Sequence, residues 1–205
     1  MKIDVAKLDY RDSHRLLGSA IAPRPIAFVS TVSEEGIFNL APYGLFTGMS
    51  LKPAIISFSI SWRRDGGKKD THLNIESTKD FVICVVNETL AEPMNKSSDQ
   101  YPYNVDEFKE VGLTPIKADI TRAPLVAESP INMECRLVQT LQFGEIPDKS
   151  SFIIGEVLLV HVKDEVYVDG QIQMSKLKAI GRLGGSGLYC RTTDLFTMKR
   201  PGIFD

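Results

Sequence analysis

A run of cationic side chains in residues 62–74 is the first part of the chain that could bind a ligand. Four cations lie within seven positions of each other: Arg63, Arg64, Lys68 and Lys69. A Gly-Gly pair lets the backbone turn between them, and a helix start is predicted at Asp70 or Thr71. A helix N-terminus offers free amides and partial positive charge, which suits a phosphate. A solvated hairpin followed by an ordinary helix cap explains the same residues equally well.

A second group of residues, in the segment 24–43, suits the flat part of a ligand. It is a predicted strand, an acidic-glycine turn and a second short strand. The first strand carries the small hydroxyls Ser30, Thr31 and Ser33, and the second strand ends in Asn39-Leu40-Ala41-Pro42-Tyr43. Small side chains leave backbone amides accessible to a planar ligand with polar edges.

Two hydroxyls on the strand before the cationic run are candidates for the same site. Ser57 and Ser59 alternate along that strand and therefore share one face. They can bind a phosphate or a polyol chain, or they can form the wet face of an ordinary strand. Their spacing leaves both interpretations open.

Several other chemistries lack the residues they need. The glycine-rich stretch 182–189 has neither the G-x-G-x-x-G spacing nor the Lys-Ser/Thr of a P-loop. The histidines His14, His72 and His161 are scattered, which argues against a metal site. No G-x-S-x-G elbow is present, and Cys84, Cys135 and Cys190 form no Cys-x-x-Cys pair.

Length and composition predict one globular domain over residues 1–205. The chain has 205 residues, 43% hydrophobic and 24% charged, with a formal net charge of −2. This charge gives no broad basic field, which argues against nucleic acid and anionic membranes as partners. The polar N-terminus lacks the apolar core of a secretory signal, so the cytoplasm is the expected location.

Strand patterns dominate the chain. The predicted strands are 28–32, 55–60, 81–86, 131–143 and 152–162. Residues 131–143 alternate with period two, which predicts one packed face and one wet face, whereas 152–162 is apolar on both faces, as in a central or subunit-interface strand. The predicted helices are 70–77, 89–98 and 106–111. Many strands, few helices and no βαβ alternation predict a mainly β fold, an antiparallel barrel with peripheral helices.

Taken in order, these segments resemble the flavin reductase-like family of FMN-binding split barrels over about residues 18–192. The matching blocks are Pro23-Arg24-Pro25-Ile26-Ala27 with Ser30-Thr31, Asn39-Leu40-Ala41-Pro42-Tyr43, Lys69-Asp70-Thr71 with Asn74, residues 81–87, Ile154-Gly155-Glu156-Val157, and residues 180–185. Gly44 and Gly48 depart from the family pattern and leave extra room or backbone mobility beside the ligand.

The resemblance implies an antiparallel split β-barrel that forms a homodimer and binds FMN. Carried over by position, the ring would lie against Ser30, Thr31, Val32, Asn39, Leu40 and Ala41. The ribityl phosphate would be surrounded by Ser57, Ser59, Arg63, Lys69, Asp70 and Thr71. Asp70 is expected to act as a helix cap or to pair with Lys69. Arg182 is expected to complete the site or to hold the C-terminal segment against the neighbouring subunit.

The same resemblance implies an oxidoreductase that takes hydride from NADH or NADPH onto FMN and passes electrons to a small acceptor or a partner protein. Hydride transfer to a flavin needs no catalytic acid–base pair, in keeping with the absence of an obvious one. Two alternatives remain open at this point. One is a flavoredoxin-like electron carrier, and the other is a non-enzymatic protein that binds a flavin or another phosphate ligand.

Overall fold

The computed structural model describes residues 1–185, 187–198 and 201. Seven strands form the main sheet: β1 (Ala27–Val32), β2 (Phe38–Tyr43), β3 (Phe46–Leu51), β4 (Ala54–Ser61), β5 (Asp80–Val85), β8 (Ile131–Phe143) and β9 (Ser150–Val162). Three two-stranded ribbons pair β6 (Pro115–Ile116) with β7 (Leu125–Val126), β10 (Tyr167–Val168) with β11 (Gln171–Ile172), and β12 (Ile180–Arg182) with β13 (Tyr189–Arg191).

The helices are short and lie around this sheet. They are α1 (Tyr10–Ala20), α2 (Asp70–Thr78), α3 (Ala91–Lys96), α4 (Glu107–Val111) and α5 (Met174–Leu177), with 3₁₀ turns at Val5–Lys7, Glu88–Leu90 and Asp164–Val166. No helix in the described residues has both the length and the apolar character needed to cross a membrane.

The main sheet is antiparallel and strongly curled, with the order β2-β1-β5-β8-β9-β4-β3. Its two edge strands, β2 and β3, are joined by only two residues, so the sheet must bend round to bring its edges near each other. Packing reflects this bend, because the rings of Tyr43 on β2 and Phe58 on β4 lie 5.3 Å apart between centroids.

The prediction of a barrel is wrong in one respect, because the sheet is not closed: β2 and β3 form no ladder. The outer edge of β2 is occupied by α4, where the Glu107 carboxylate accepts the Leu40 N–H. Pro42, near the end of β2, has no N–H to offer a further strand. The mainly β, antiparallel character and the few helices are confirmed.

Side chains on the two faces of β1 and β5 enter two separate cores. Phe28 and Val82 pack with Phe108 and the α3–α4 region on one face. Ala27, Val29 and Phe81 pack on the other face, in a second cluster. Large, fully buried side chains of that second cluster include Phe58, Ile60, Ile75, Phe81 and Ile153. These cores hold β1, β2 and α2 in fixed relation, which matters for the site described below.

Most predicted elements are observed, with three differences. The predicted helix 89–98 is a 3₁₀ turn followed by α3, and α1 was not predicted. The single packed face predicted for 131–143 is interrupted, because the pairing of β8 with β9 shifts register twice: Leu158 on β9 is skipped at Glu134/Cys135, and Val138 on β8 is skipped between Leu137 and Gln139. As a result, Leu141 and Phe143 are exposed rather than packed.

Arg24 ties the N-terminal helix to the C-terminal part of the chain. Its buried guanidinium donates hydrogen bonds to the carbonyls of Gly18, Ile21 (2.9 Å) and Leu183 (3.2 Å). The backbones of Arg24 and Arg182 also exchange two hydrogen bonds, of 2.9 and 2.8 Å. Burial and the nearby charge of Arg182 lower the pKa of Arg24, so this contact depends on the three carbonyl acceptors that solvate the cation.

Candidate functional site

A cleft of about 840 Å³ lies where β2, the start of α2 and the start of α4 meet. Its residues come from four parts of the chain: Asn39 and Ala41 to Tyr43 on β2, Ser61 to Asp65 and Lys69 to Thr71 leading into α2, Ser97 to Pro102 after α3, and Glu107 on α4. The cleft therefore combines the two segments that the sequence pattern singled out with a loop and a helix that it did not.

The start of α2 supplies free amides to one end of this cleft. The N-cap position is held by Lys69, whose side chain makes no capping hydrogen bond. The helix start predicted at Asp70 or Thr71 is confirmed, because α2 begins at Asp70, but Asp70 is not the helix cap that it was expected to be. An α-helix without a side-chain cap leaves first-turn N–H groups available to a ligand, and the helix dipole favours an anion there.

Cations surround these amides. Lys69 and Arg64 both line the cleft and have no carboxylate partner among the described residues. Nearby protein atoms limit the hydration of Lys69 and the positive charge of Arg63 repels it, so its pKa is lowered, although Asp70 partly opposes this. A bound anion would relieve the repulsion between these cations.

Asp70 was expected to cap the helix or to pair with Lys69. It instead forms an ion pair with Arg63. Arg63 Nη2 donates to Asp70 Oδ1 over 2.6 Å. Burial raises the pKa of Asp70, and the charges of Arg63 and Lys69 partly offset that effect. The ion pair fixes the 62–69 loop on the first turn of α2.

Lys68 belongs to a different cluster, outside the cleft. Its Nζ lies 2.7 and 2.6 Å from the two carboxylate oxygens of Glu76 and 5.5 Å from the centre of the Trp62 ring. Lys149 approaches the same ring to 4.5 Å, and the Trp62 Nε1 donates to Ser151 over 2.8 Å. Trp62 is therefore held in place by neighbours on several sides while it lines the cleft.

Behind the cleft, buried polar side chains form a connected network. Asn39 Oδ1 accepts hydrogen bonds from Thr71 (2.7 Å) and Thr31 (3.0 Å), and Asn74 donates to Thr31 (3.0 Å). Asn39 Nδ2 in turn donates to Glu107 over 2.7 Å. Because its hydroxyl hydrogen is directed at Asn39, Thr71 presents its lone pairs and its backbone to other partners.

The carboxyl group of Glu107 has an unusually high pKa. Burial raises its pKa to about 7, opposed by the hydrogen bond from the Leu40 N–H and reinforced by the negative charges of Asp70 and Asp106. The cleft thus contains a carboxyl group that titrates near neutral pH.

The predicted site residues divide into two groups. Those that line the cleft are Asn39, Ala41, Arg63, Lys69, Asp70 and Thr71. Those that do not line it are Ser30, Thr31, Val32, Leu40, Ser57, Ser59 and Arg182. Of the second group, Thr31 is still connected through Asn39, whereas the buried hydroxyls of Ser30 and Ser57 have no hydrogen-bond partner. Arg182 lies over the ring of Tyr189, 4.6 Å from its centre.

Sequence reasoning missed several residues of the cleft. Trp62 and Tyr43 fall inside segments that had been singled out, yet neither was named as a site residue. The loop 97–102 and Glu107 also line the cleft, and neither carries a local ligand-binding pattern. The contact of Glu107 with Asn39 joins positions 68 apart in the chain, which no local pattern reveals.

Asp119, Glu134 and His161 form a second cluster of polar groups, with ligand-type atoms within 4.8 Å of one another. The buried Glu134 carboxylate accepts N–H groups of Asp119 (3.1 Å), Ile120 (2.7 Å) and Thr121 (2.6 Å), and it lies 2.7 Å from His161 Nε2. These bonds outweigh burial and lower the pKa of Glu134 to about 2. With its oxygens so occupied, this carboxylate anchors the 119–121 loop on the sheet.

Comparison with protein families gives one match that covers most of the chain. The family model described as "Flavin reductase like domain" matches residues 19–176. A Halalkalibacterium halodurans protein, BH2278, is 34% identical over 205 residues, a match that spans 99% of this chain and 98% of the relative.

Solved structures give the same picture. Nitrilotriacetate monooxygenase component B from Bacillus cereus superposes with a TM-score of 0.91 at 32% identity, over 97% of this chain and 98% of that one. The 2-nitrobenzoate 2-nitroreductase NbaA of Pseudomonas fluorescens superposes with a TM-score of 0.88 at 27% identity, over 100% and 98% of the two chains.

Proposed function

The chain belongs to the flavin reductase-like family, and we propose that it binds FMN in the cleft and transfers electrons from NADH or NADPH to this flavin. The observation that carries the proposal is the composition of the cleft, in which cations and the start of α2 lie at one end while Ala41, Pro42 and Tyr43 of β2 line the same continuous space. FMN is a ligand with a phosphate at one end and a planar ring at the other.

The residues present fit both ends of FMN. At the phosphate end, the uncapped start of α2 offers amides, and Lys69 and Arg64 offer unpaired positive charge. At the ring end, the wall is formed by Ala41, Pro42 and Tyr43 of β2. Since the Leu40 N–H already donates to Glu107 and Pro42 has no N–H, the contacts that this part of β2 can make with the polar edge of a ring come from its carbonyl groups and side chains.

The protein's own role in such a reaction is binding and orientation. The flavin, when bound, supplies the hydride-accepting chemistry. Lys69 and Arg64 hold the negative end, while Arg63 keeps the loop in place through Asp70. The network through Asn39 fixes β2, α2 and α4 relative to one another, so the wall of the cleft is preorganised before the ligand arrives.

The acceptor of the electrons is proposed to be a small molecule or a partner protein. The two similar structures are named as a component of a monooxygenase and as a nitroreductase. Both a separate oxygenase component and a nitroaromatic acid are therefore reasonable acceptors to assay. Reduced nicotinamide is a cytoplasmic metabolite, which supports the proposed cytoplasmic location.

A homodimer is part of the proposal. Val138, Leu141 and Phe143, here called the β8 strip, are exposed on the last part of β8, with Phe143 58% accessible. Their neighbours on β9, the strand expected at or near a subunit contact, are only half-buried over much of its length. An exposed row of apolar side chains on a paired strand suits a second copy of the chain.

Anaerobic titration of the purified protein tests the function. A visible spectrum with a band near 450 nm reports bound flavin, and stepwise addition of NADH or NADPH should bleach it. Bleaching with neither donor would overturn the nicotinamide reaction while leaving flavin binding intact, as expected of an electron carrier. A colourless protein that fails to bind added FMN would overturn the proposal altogether.

A further inference from the structure

The buried hydrogen bonds behind the cleft all run in one direction. Tyr103 donates to Asn74 (3.0 Å), Asn74 to Thr31 (3.0 Å), Thr31 to Asn39 (3.0 Å) and Asn39 to Glu107 (2.7 Å). Thr71 adds a branch that also ends on Asn39. Chains of this kind polarise each successive bond, and this one ends on the carboxylate of Glu107.

Only one of the two carboxylate oxygens takes part. Both Asn39 Nδ2 and the Leu40 N–H donate to Oε2, so Oε1 is not engaged by this network. Glu107 is 5% exposed and lines the cleft. A proton on this carboxyl group therefore sits at the boundary between the network and the ligand space.

The charged groups around Glu107 make its ionised form costly. From α2 it faces Asp70, from its own helix start Asp106, and from β2 and the 97–102 loop the hydroxyls of Tyr43 and Tyr101. Arg63, a cation that lines the same cleft, is already paired with Asp70. No cation forms an ion pair with Glu107 in the part of the chain that the structure describes.

We propose that Glu107 takes up a proton when an anionic ligand occupies the cleft, and that ligand binding is thereby coupled to proton uptake. The inference rests on the proposed function, because the ligand in question is the phosphate-bearing FMN. A second negative charge in the cleft disfavours the ionised carboxylate, so a proton moves from solvent to Glu107 as the ligand enters. No covalent bond is made or broken.

The pKa of Glu107 sets the pH range in which proton uptake is expected. The pKa of Glu107 near 7 in the free protein rises further beside an anion, so uptake is greatest just above neutral pH. The second ionisation of a phosphate monoester, near pH 6, acts in the opposite direction, because binding the dianion would release a proton below that pH. Measurements between pH 7 and 8 therefore separate Glu107 from the phosphate, and the Glu107→Gln variant separates it from Lys69, whose lowered pKa would also rise beside an anion.

Calorimetric titration with FMN in two buffers of different ionisation enthalpy counts the protons taken up. The wild-type protein should take up a substantial fraction of one proton at pH 7.5, and its dissociation constant should rise by up to about tenfold per pH unit above neutrality. Glu107→Gln, which keeps an acceptor oxygen for Asn39, should bind FMN without the uptake. Glu110→Gln is the matched control, since Glu110 is exposed on the same helix.

Two results separate the failure of this inference from failure of the proposed function. FMN binding with no linked proton, or with the same uptake in Glu107→Gln, overturns the coupling and leaves the function standing. If FMN does not bind at all, the function fails, and carbon NMR of the side-chain carboxyl in the free protein still decides the role of Glu107. A titration midpoint near 4.5 would then refute a proton-carrying carboxyl group.

Discussion

Gly155 on β9 lies against the ring of Phe81 on β5, so closely that a Cβ on Gly155 would come 2.5 Å from Phe81 Cζ. Phe81 is fully buried and packs edge-on against Phe58, at 5.6 Å between centroids. The two strands flank β8 in the sheet. The missing side chain therefore makes room for an aromatic ring inside the curl that brings β2 and β3 together.

Gly155→Ala should destabilise the protein by about 1–3 kcal/mol, because the added methyl group overpacks a core that cannot expand freely. Urea unfolding followed by fluorescence measures the loss. Gly48→Ala is the control, since a Cβ at Gly48 meets nothing within 4 Å, and it should change the unfolding free energy much less. Equal effects in both variants would contradict this packing argument.

Lys69→Ala should weaken FMN binding by about 1.5–3 kcal/mol, the net value of a charge-assisted hydrogen bond, which is roughly a 10- to 150-fold rise in Kd. Riboflavin, which lacks the phosphate, should bind equally well to wild type and variant. Lys68→Ala removes the same charge one residue earlier, where Glu76 holds it outside the cleft, and should cost less. A matching loss of riboflavin affinity would place the phosphate elsewhere.

Glu134→Gln should remove part of the acid sensitivity of the fold. The pKa of Glu134 is near 2 in the folded state, below its ordinary 4.5, so the carboxylate stabilises the protein above pH 4.5. That contribution, about 3 kcal/mol, is lost as pH falls from 4.5 towards 2. Unfolding free energies measured across this range should fall less steeply in the variant, while the exposed control Glu165→Gln should follow wild type.

Phe143→Glu should shift the protein from dimer to monomer, because it places a charge on the most exposed residue of the apolar β8 strip. Sedimentation velocity at micromolar concentrations measures the change. Ile172→Glu alters a residue of similar character on β11, 41% exposed, and should leave the dimer intact. A wild-type monomer, or a dimer in both variants, would exclude the β8 strip as the contact.

Local patterns predicted the elements that depend on local forces. The strands 28–32 and 81–86 and the helix ending at Gly112 are close to the observed bounds, because alternation, capping and a left-handed glycine act within a few residues. Helix α1 was missed because its aliphatic side chains, Leu16, Leu17 and Ala20, all lie in its second half, which is too short a span to establish a period of 3.6.

The parts that could not be predicted depend on distant contacts. Val138 is an extra residue on β8 relative to β9, and it reverses which β8 side chains face inward beyond it. Nothing in an alternating sequence marks that position. A closed barrel was predicted, but the sheet stays open because Glu107 of α4, and not another strand, accepts the outer Leu40 N–H of β2. The cationic end of the cleft could be predicted because the helix start and the cations are adjacent in sequence. The acidic residue of the cleft, Glu107, could not be predicted, because it lies 68 positions from its partner Asn39.

The contact between Arg24 and Leu183 spans 159 positions, which sets an order of events during synthesis on the ribosome. Helix α1 and Arg24 leave the exit tunnel well before Leu183 and the backbone partner Arg182. Until those two residues have been made, one carbonyl acceptor and the backbone partner of Arg24 are missing. The packing of the segment around Arg24 is therefore completed only after residue 183 has been made.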